Sequence, residues 1–296
     1  MATGVPTNRS NIVLPAEISA EILQKTQEES AIMRLARQIA LPGRGVEIPV
    51  ITSDPVAEWV SETGVKPVSN PGLSKKVMSA YKLAVIVPFS NEFRRDAASL
   101  YDQLVRRLPL ALAKQFDQTV LAGAAPGSNF DTFANCETQD ITADAYAGLV
   151  AADADIADNG GILNGFALSP QAKATLLAAV DGNERPLFIN SVAEGAVPYI
   201  LGAPTVMSKG MYAAGDSTNA VGVAGDWTQA LYGTVEGVKI DYSADATLVA
   251  GESGSTTTIN LFQQNMFAVR AEIEVGFVAD TSCFNVLTTT ATAASA

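Results

Sequence analysis

The clearest hydrophobic pattern in the chain predicts one long helix between residues 90 and 123. Ser90-Asn91-Glu92 offers a capping side chain and an acid for its start, and Gly123 predicts its end. Pro109 lies inside the run and removes a backbone donor, so we expect a bend near Val105 to Pro109. Apolar residues recur every four positions, the spacing of one helix face, at Leu100, Leu104, Leu108, Leu112, Phe116 and Val120.

The segment before this helix predicts an extended hairpin that cannot bury itself. Pro55 to Glu62 and Lys76 to Phe89 are rich in the β-branched and aromatic residues of strands. Thr63 to Lys75 contains glycines and prolines and predicts the tip of the hairpin. A two-stranded hairpin is only marginally stable in water, and Trp59 and Val60 need an apolar surface to cover them. A second copy of the chain could provide that surface.

Four further patterns describe the C-terminal part of the chain. Thr142 to Ala157 has helix-forming composition, and Asn159-Gly160-Gly161 would end that helix. Ser169-Pro170 predicts the start of a helix that runs through Val180. Between residues 269 and 277 apolar and charged residues alternate, which predicts a strand with one apolar face. Thr288 to Ala296 has low complexity, and we expect it to be poorly ordered.

The order of these elements resembles the major capsid protein of tailed bacteriophages, the Hong Kong 97-type fold, in which an extended E-loop precedes a long spine helix. The resemblance covers nearly the whole chain. It is carried by short stretches at Leu14-Pro-Ala-Glu-Ile-Ser-Ala-Glu-Ile-Leu23, Ser30-Ala-Ile-Met33, Ile48-Pro49-Val50, Trp59-Val-Ser-Glu62, Gly202-Ala-Pro204, Gly225-Asp-Trp227, Tyr232-Gly233, Gln263-Gln-Asn-Met-Phe-Ala-Val-Arg270 and Gly276-Phe277.

The resemblance implies an α+β fold with named regions. These are an N-terminal arm at 1–45, an E-loop region at 46–90, a P domain with the spine helix at 91–134, and an A domain at 135–255. Residues 256–296 would return a strand to the P domain and end in a C-terminal tail.

The resemblance also implies a structural function. Copies would self-assemble into pentamers and hexamers of an icosahedral shell around double-stranded DNA, which is enclosed without sequence-specific binding. Further partners would be a portal and scaffolding or decoration proteins, and the chain would be found in the virion capsid and, during assembly, in the host cytoplasm. No enzymatic activity and no cofactor are implied. An encapsulin-like compartment shell and a carboxylate-dependent hydrolase remain open as alternatives.

The resemblance assigns contact residues to the E-loop. Trp59, Glu62, Lys66, Lys75 and Lys76 are the expected inter-subunit contacts, and Pro109 is the expected bend of the spine helix. Some relatives join an E-loop lysine covalently to an asparagine of a neighbouring subunit, for which the three lysines are candidates by location. Because no asparagine or glutamate partner can be identified, noncovalent contact is the expectation.

Composition excludes several kinds of catalytic site. The chain has no histidine, which excludes Ser-His-Asp and Cys-His catalysis and histidine metal ligation. It has no phosphate-loop motif or dinucleotide fingerprint. The acids of Asp153 to Gly161 lack the glycine and the closing glutamate of a calcium loop. Cys136 and Cys283 lie far apart, which predicts two buried free thiols in a reducing compartment. The chain contains no apolar run of about 18 residues, so no membrane segment is predicted.

Charge is distributed unevenly along the chain. Residues 1–116 contain 14 Lys and Arg against 11 Asp and Glu, and residues 117–296 contain 5 against 20, so the two parts carry +3 and −15. One interpretation is that Lys66, Lys75, Lys76 and Lys82 lie on the acidic part of a neighbouring copy, where attraction favours correct pairing. The alternative is a solvated acidic surface. Broad binding to phosphate is not expected of so acidic a chain.

Overall fold

The computed structural model describes residues 26–291 except 28, 44, 54–56, 62–64, 67, 70–71, 92–96, 181–182, 184, 189–198 and 251–256. Within these residues the helices are α1 (Ala31–Leu35), α2 (Ala97–Ala122), α3 (Ala145–Asp158) and α4 (Pro170–Ala178). The strands are β1 (Arg37–Ala40), β2 (Val46–Ser53), β3 (Gly72–Met78), β4 (Tyr81–Ser90), β5 (Glu137–Asp140), β6 (Gly165–Leu168), β7 (Tyr199–Ile200), β8 (Ala203–Met207), β9 (Thr218–Gly225), β10 (Ala230–Thr234), β11 (Lys239–Ser243), β12 (Thr247–Ala250), β13 (Thr257–Asn260), β14 (Met266–Ala279) and β15 (Phe284–Thr290).

The predicted long helix exists as α2, and its end is confirmed. The backbone N–H of Gly123 donates to the carbonyl oxygens of Gln118 and Thr119, both at 3.1 Å, which closes the last turn. The predicted start at Ser90-Asn91-Glu92 stays a prediction, because Ser90 is the last residue of β4 and residues 92–96 lie outside the described residues. The helix runs without interruption through Pro109, and the bend there stays a prediction. The second half of the apolar stripe is buried, at Leu108, Leu112, Phe116 and Val120.

The predicted hairpin exists, but its strands are displaced along the sequence. Strands β2 and β3 pair antiparallel, with Val46 opposite Met78 and Ser53 opposite Gly72. The predicted first strand at Pro55 to Glu62 is wrong, since its described residues 57–61 form no strand. The predicted second strand is divided in two at residues 79–80. Packing of the hairpin base against the body decides this pairing: Met78 is fully buried there, and Val46 packs against the same cluster.

Two larger sheets contain the other described strands except β12 and β13, which pair antiparallel as a separate two-stranded sheet. The first has the order β1-β10-β14-β11, and β4 pairs with the opposite edge of β14 over ten residues. The second has the order β5-β15-β9-β6-β8-β7. Strand β15 pairs parallel with β5, so the expectation of a poorly ordered tail is wrong for Thr288 to Thr290. The limits of the named domains stay predictions.

One aromatic cluster joins α2 to both sheets. Phe133 contacts Phe277 of the first sheet at a ring-centroid distance of 5.6 Å and Phe284 of the second at 4.7 Å. Trp227 packs edge-on against Phe133 and donates its indole N–H to the carbonyl oxygen of Gly165 at 2.9 Å. Phe116 of α2 closes the cluster against Phe277. These buried rings hold the two sheets and the long helix as one core.

Helices α3 and α4 cover the second sheet, and each has a side-chain cap at its start. Helix α3 begins at Ala145, three residues after the predicted start, whereas the predicted cap of α4 at Ser169 is confirmed. The side chain of Asp144 accepts from the N–H of Ala147 at 3.0 Å, and the helix ends before Gly160, which has a φ of +79°. Ser169 caps α4 by accepting from the N–H of Ala172 at 3.2 Å, with proline at the first helical position. Helix α4 ends at Ala178, two residues before the predicted end.

Candidate assembly surface

An ion pair ties the base of the β2–β3 hairpin to the body of the protein. The ammonium of Lys76 lies 2.7 Å from a carboxylate oxygen of Asp131 and 2.6 Å from the carbonyl oxygen of Ala279. The same carboxylate oxygen accepts from the N–H of Ala279 at 3.0 Å. Both charged side chains are partly buried, at 39% and 25% exposure, so water screens this pair less than a surface pair. The end of β14 is thereby joined to β3.

Close packing fixes the turns on either side of the same base. Gly45 has a φ of +83°, and a Cβ added there would lie 2.6 Å from the carbonyl oxygen of Met78. The hydroxyl of Tyr81 accepts from the N–H of Asn129 at 3.2 Å, and the Asn129 amide donates to Ser79 at 3.1 Å. These contacts define the direction in which the hairpin leaves the body.

The described tip of the hairpin, residues 57–61, 65–66 and 68–69, exposes apolar side chains. Trp59 has a relative exposure of 105%, so it makes no covering contact within its own chain. Val65 and Val68 are 95% and 89% exposed, and Val60 is 38% exposed. Burying a large apolar side chain contributes roughly 3 kcal/mol. A surface that covers this tip would therefore be strongly favoured.

The structure separates the contact residues predicted from the sequence. Trp59 and Lys66 lie exposed in the tip, and Glu62 lies outside the described residues. Lys75 lies on β3 and pairs with Glu47 at 2.8 Å, while Lys76 belongs to the base. Pro109 lies within α2, remote in sequence from the hairpin.

Most of the lysines that were expected to lie on the acidic part of a neighbouring copy pair with carboxylates of their own chain. Lys75 and Lys76 pair within the chain, and Lys82 pairs with Glu274 at 3.4 Å. Three of the four lysines thus have a carboxylate of their own chain, which leaves Lys66 as the tip lysine for a neighbouring copy.

A buried carboxylate on the long helix was not predicted from the sequence. Asp117 is fully buried and accepts from the hydroxyl of Ser30 at 2.6 Å and from the N–H groups of Ala31 and Ile32 at 3.1 and 3.4 Å. Burial raises the pKa of Asp117 from 3.8 to about 6, against the opposing effect of hydrogen bonds from Ser208 and Ser30. One side chain thus joins α1, α2 and the turn after β8.

A signal for this carboxylate was present in the sequence. Ala113, Asp117 and Leu121 are spaced four residues apart, and both apolar members of the row are buried. A single acid in an apolar row predicts either an exposed row or an acid with buried partners.

The described residues contain neither a reactive thiol nor a metal cluster. Cys136 and Cys283 are free and buried, as predicted. Burial and the charge of Asp131 raise the pKa of Cys136 to about 12, and burial raises the pKa of Cys283, so both remain thiols. No three His, Cys, Asp or Glu side chains of the described chain are grouped to hold a metal ion. None of its helices is long and apolar enough to span a membrane.

Comparison with known proteins identifies relatives over most of the chain. The chain is 27% identical over 278 residues to the probable major capsid protein gp17 of Mycobacterium phage D29, which covers 89% of this chain and 86% of the relative. It is 26% identical over 281 residues to the major capsid protein of Staphylococcus phage 80alpha, covering 90% and 82%.

Solved structures share the fold at lower identity. A chain of Microbacterium phage Oxtober96 matches with a TM-score of 0.70 at 22% identity, covering 88% of this chain and 91% of that one. The capsid of an empty GTA particle computed with C5 symmetry matches with a TM-score of 0.62 at 14% identity, covering 89% and 90%. The α+β fold of the Hong Kong 97 type is thereby confirmed.

The fold and the anchored hairpin with an exposed apolar tip define a shell subunit of tailed phages. The family model described as "Phage capsid family" matches residues 10–288, and the chain belongs to that family. This is a family of structural capsid proteins and not of enzymes, and its members form part of the virion capsid. The matches support a major capsid protein over the compartment shell and the hydrolase.

Proposed function

We propose that copies of this chain assemble head to tail into pentamers and hexamers of an icosahedral shell that encloses double-stranded DNA. The observation that carries the proposal is the hairpin that is anchored at its base and exposes Trp59 at its tip. Head-to-tail contacts between identical copies close into rings when the rotation permits. The likeness in fold to the capsid of a GTA particle computed with C5 symmetry supports rings of this kind.

In this proposal the tip and the base of the hairpin have different roles. Trp59, Glu62 and Lys66 contact the neighbouring copy, whereas Lys75 and Lys76 hold the hairpin to its own body. Contact is noncovalent. This division is supported by the fully exposed indole at the tip and by the ion pair between Lys76 and Asp131 at the base.

The proposed regions keep the limits predicted from the sequence, except that β10, β11 and β15 are assigned to different domains. The arm, the E-loop and the spine helix keep their limits at 1–45, 46–90 and 91–134. Strands β10 and β11 pair with β14, which supports counting them with the P domain instead of the A domain. Strand β15 pairs with β5 and β9, which supports counting it with the A domain.

In the proposed function the shell encloses DNA without binding it tightly. The net charge of −15 on residues 117–296 supports a wall that does not hold phosphate, along which packaged duplex can slide. Catalysis has no part in this function. Two buried free thiols support assembly in the reducing host cytoplasm, where a portal and scaffolding or decoration proteins would join the shell.

Assembly of the purified chain tests the proposal. Sedimentation and negative-stain microscopy should show the unaltered chain as closed shells of uniform size. Trp59→Ala should give small species with an unfolding free energy within about 0.5 kcal/mol of the parent, because the indole is exposed in the single chain. Trp59→Phe keeps a large apolar ring and should still assemble. A parent chain that stays monomeric at all concentrations would contradict the proposal.

Tryptophan emission gives an independent measurement. The chain has two tryptophans, of which Trp59 is exposed and Trp227 is buried. Assembly should shift the emission of Trp59 to shorter wavelength, and Trp59→Phe should abolish the shift.

A further inference from the structure

A cleft of about 380 Å³ lies where the long helix, the start of α4 and the turn after β8 meet. Its volume lies within the range of pockets that hold small ligands, roughly 300–1,000 Å³. Its apolar wall and its charged rim come from different residues. The lining consists of Leu110, Ala113, Pro170, Met207, Ser208 and Gly210 with the charged Glu29, Lys114 and Lys209.

The rim of this cleft carries more positive than negative charge. Residues 117–296 carry a net charge of −15 and only five basic residues, one of which is Lys209. Lys114 projects from the long helix beside it, and both lysines are exposed. The cleft therefore presents two positive charges and one negative charge, that of Glu29, next to an apolar wall.

The described hairpin tip carries a negative charge directly beside an aromatic ring. Its charged residues are Glu58, next to Trp59, and Lys66. Glu58 and Trp59 are adjacent and exposed. An indole next to a carboxylate matches an apolar wall with lysines at its rim. Glu29 at the rim of the cleft has the charge opposite to that of Lys66 in the tip.

A second cleft offers no such match. It has a volume of about 680 Å³ and is lined by residues of α3, α4 and the loops that follow β5 and α4. Asp144 is the charged residue among those lining it. Because Asp144 repels Glu58, charge favours the first cleft for the tip.

We infer that Trp59 of one copy inserts into the cleft of a second copy, with Glu58 beside Lys114 and Lys209. This inference rests on the proposed function and names the surface that receives the tip. A large aromatic side chain in a desolvated pocket is the usual anchor of an interface. Removing such an anchor should weaken association by roughly 30-fold or more.

Charge reversal tests the pairing. Glu58→Lys should raise the concentration needed for shell formation, and Lys114→Glu combined with Lys209→Glu should restore assembly in the same chain. Asp153→Lys makes an equal charge change at an exposed position of α3 and should assemble as the parent does. Assembly of Glu58→Lys at parental concentrations, or failure of the compensating pair to restore it, would overturn the inference.

A cysteine pair tests the position directly. Val60→Cys with Leu110→Cys keeps Glu58 and Trp59, and the native thiols are buried. Oxidised shells should give covalent oligomers on a non-reducing gel, whereas Val60→Cys with Val150→Cys should not. Shells that form without the first crosslink would overturn the docking site and leave the proposed function standing. A parent chain that forms no assembly would overturn both.

Discussion

The buried carboxylate of Asp117 makes folding stability depend on pH in an unusual direction. Its pKa in the folded chain is about 6, against 3.8 for the ordinary carboxyl. Between these values the unfolded chain has lost the proton and the folded chain still holds it. Stability from this group is therefore complete below pH 3.8 and is lost as the pH rises through 6. The shift of about two pKa units corresponds to about 3 kcal/mol.

Asp117→Asn removes this titration and nearly preserves the shape of the side chain. At pH 4 the variant should be the less stable of the two, because its amide NH2 replaces one of the two carboxyl oxygens that accept hydrogen bonds from Ser30, Ala31 and Ile32. Between pH 4 and pH 7 the unfolding free energy of the variant should rise relative to that of the parent by roughly 2–3 kcal/mol, because only the parent acquires an ionised carboxylate out of water.

Urea unfolding between pH 4 and pH 7 measures this difference. Emission of Trp227 reports the core, and a Trp59→Phe background removes the signal of the hairpin tip. Asp117→Ala is the matched control: it leaves the hydroxyl of Ser30 and the N–H of Ala31 without their acceptor, so it should be destabilising at every pH. A difference between Asp117→Asn and the parent that does not change with pH, or a variant that loses stability relative to the parent as the pH rises, would refute the reasoning.

Two further predictions concern the base of the hairpin. Lys76→Ala removes the ion pair and the bond to a backbone carbonyl, so it should lower the unfolding free energy by about 1.5–3 kcal/mol and speed hydrogen exchange in β3. The control Lys75→Ala breaks only an exposed ion pair and should change the unfolding free energy by less than about 1 kcal/mol. Gly45→Ala places a side chain at a positive φ and within 2.6 Å of a backbone oxygen, so it should lower the midpoint of thermal unfolding by an amount equivalent to about 1–3 kcal/mol. In the control Gly43→Ala the added methyl group meets open space, and the midpoint should not fall. Equal midpoints for the two alanine variants would contradict this account of the turn.

Local patterns in the sequence were sufficient where an element depends on its own residues. The four-residue spacing and Gly123 predicted α2 and its end, because a helix makes its hydrogen bonds within one segment. Ser169-Pro170 predicted the cap of α4, and Asn159-Gly160-Gly161 predicted the end of α3, for the same reason. The alternation around Val269 predicted a strand with one buried face, since side chains alternate along any strand.

The exposed tip was likewise predictable from the sequence. Trp59 and Val60 lie in a predicted two-stranded hairpin, which offers no buried face to cover them. The family resemblance followed from the order of such elements along the chain. It did not depend on the exact limits of the strands, which is why it was confirmed although the hairpin strands were displaced.

Tertiary structure decided everything that needs a partner distant in sequence. Strand β2 pairs at Val46–Ser53 because the base of the hairpin is buried against Leu41 and Val278. The threonines of β15 are ordered because they lie between β5 and β9, where Thr288 donates to the carbonyl oxygen of Gln139 at 3.3 Å. A period of two residues allows a strand but does not say which strand it joins.

The protonation of Asp117 likewise depends on residues that are distant in sequence. Its amino acid type and helical position were readable from the sequence, whereas its raised pKa depends on burial beneath α1 and on hydroxyls at Ser30 and Ser208. Segments 87 residues apart meet at that point. The sequence therefore determined which faces are apolar and where helices end, and only the folded chain determined which of those faces meet, because burial is a property of the packed neighbours.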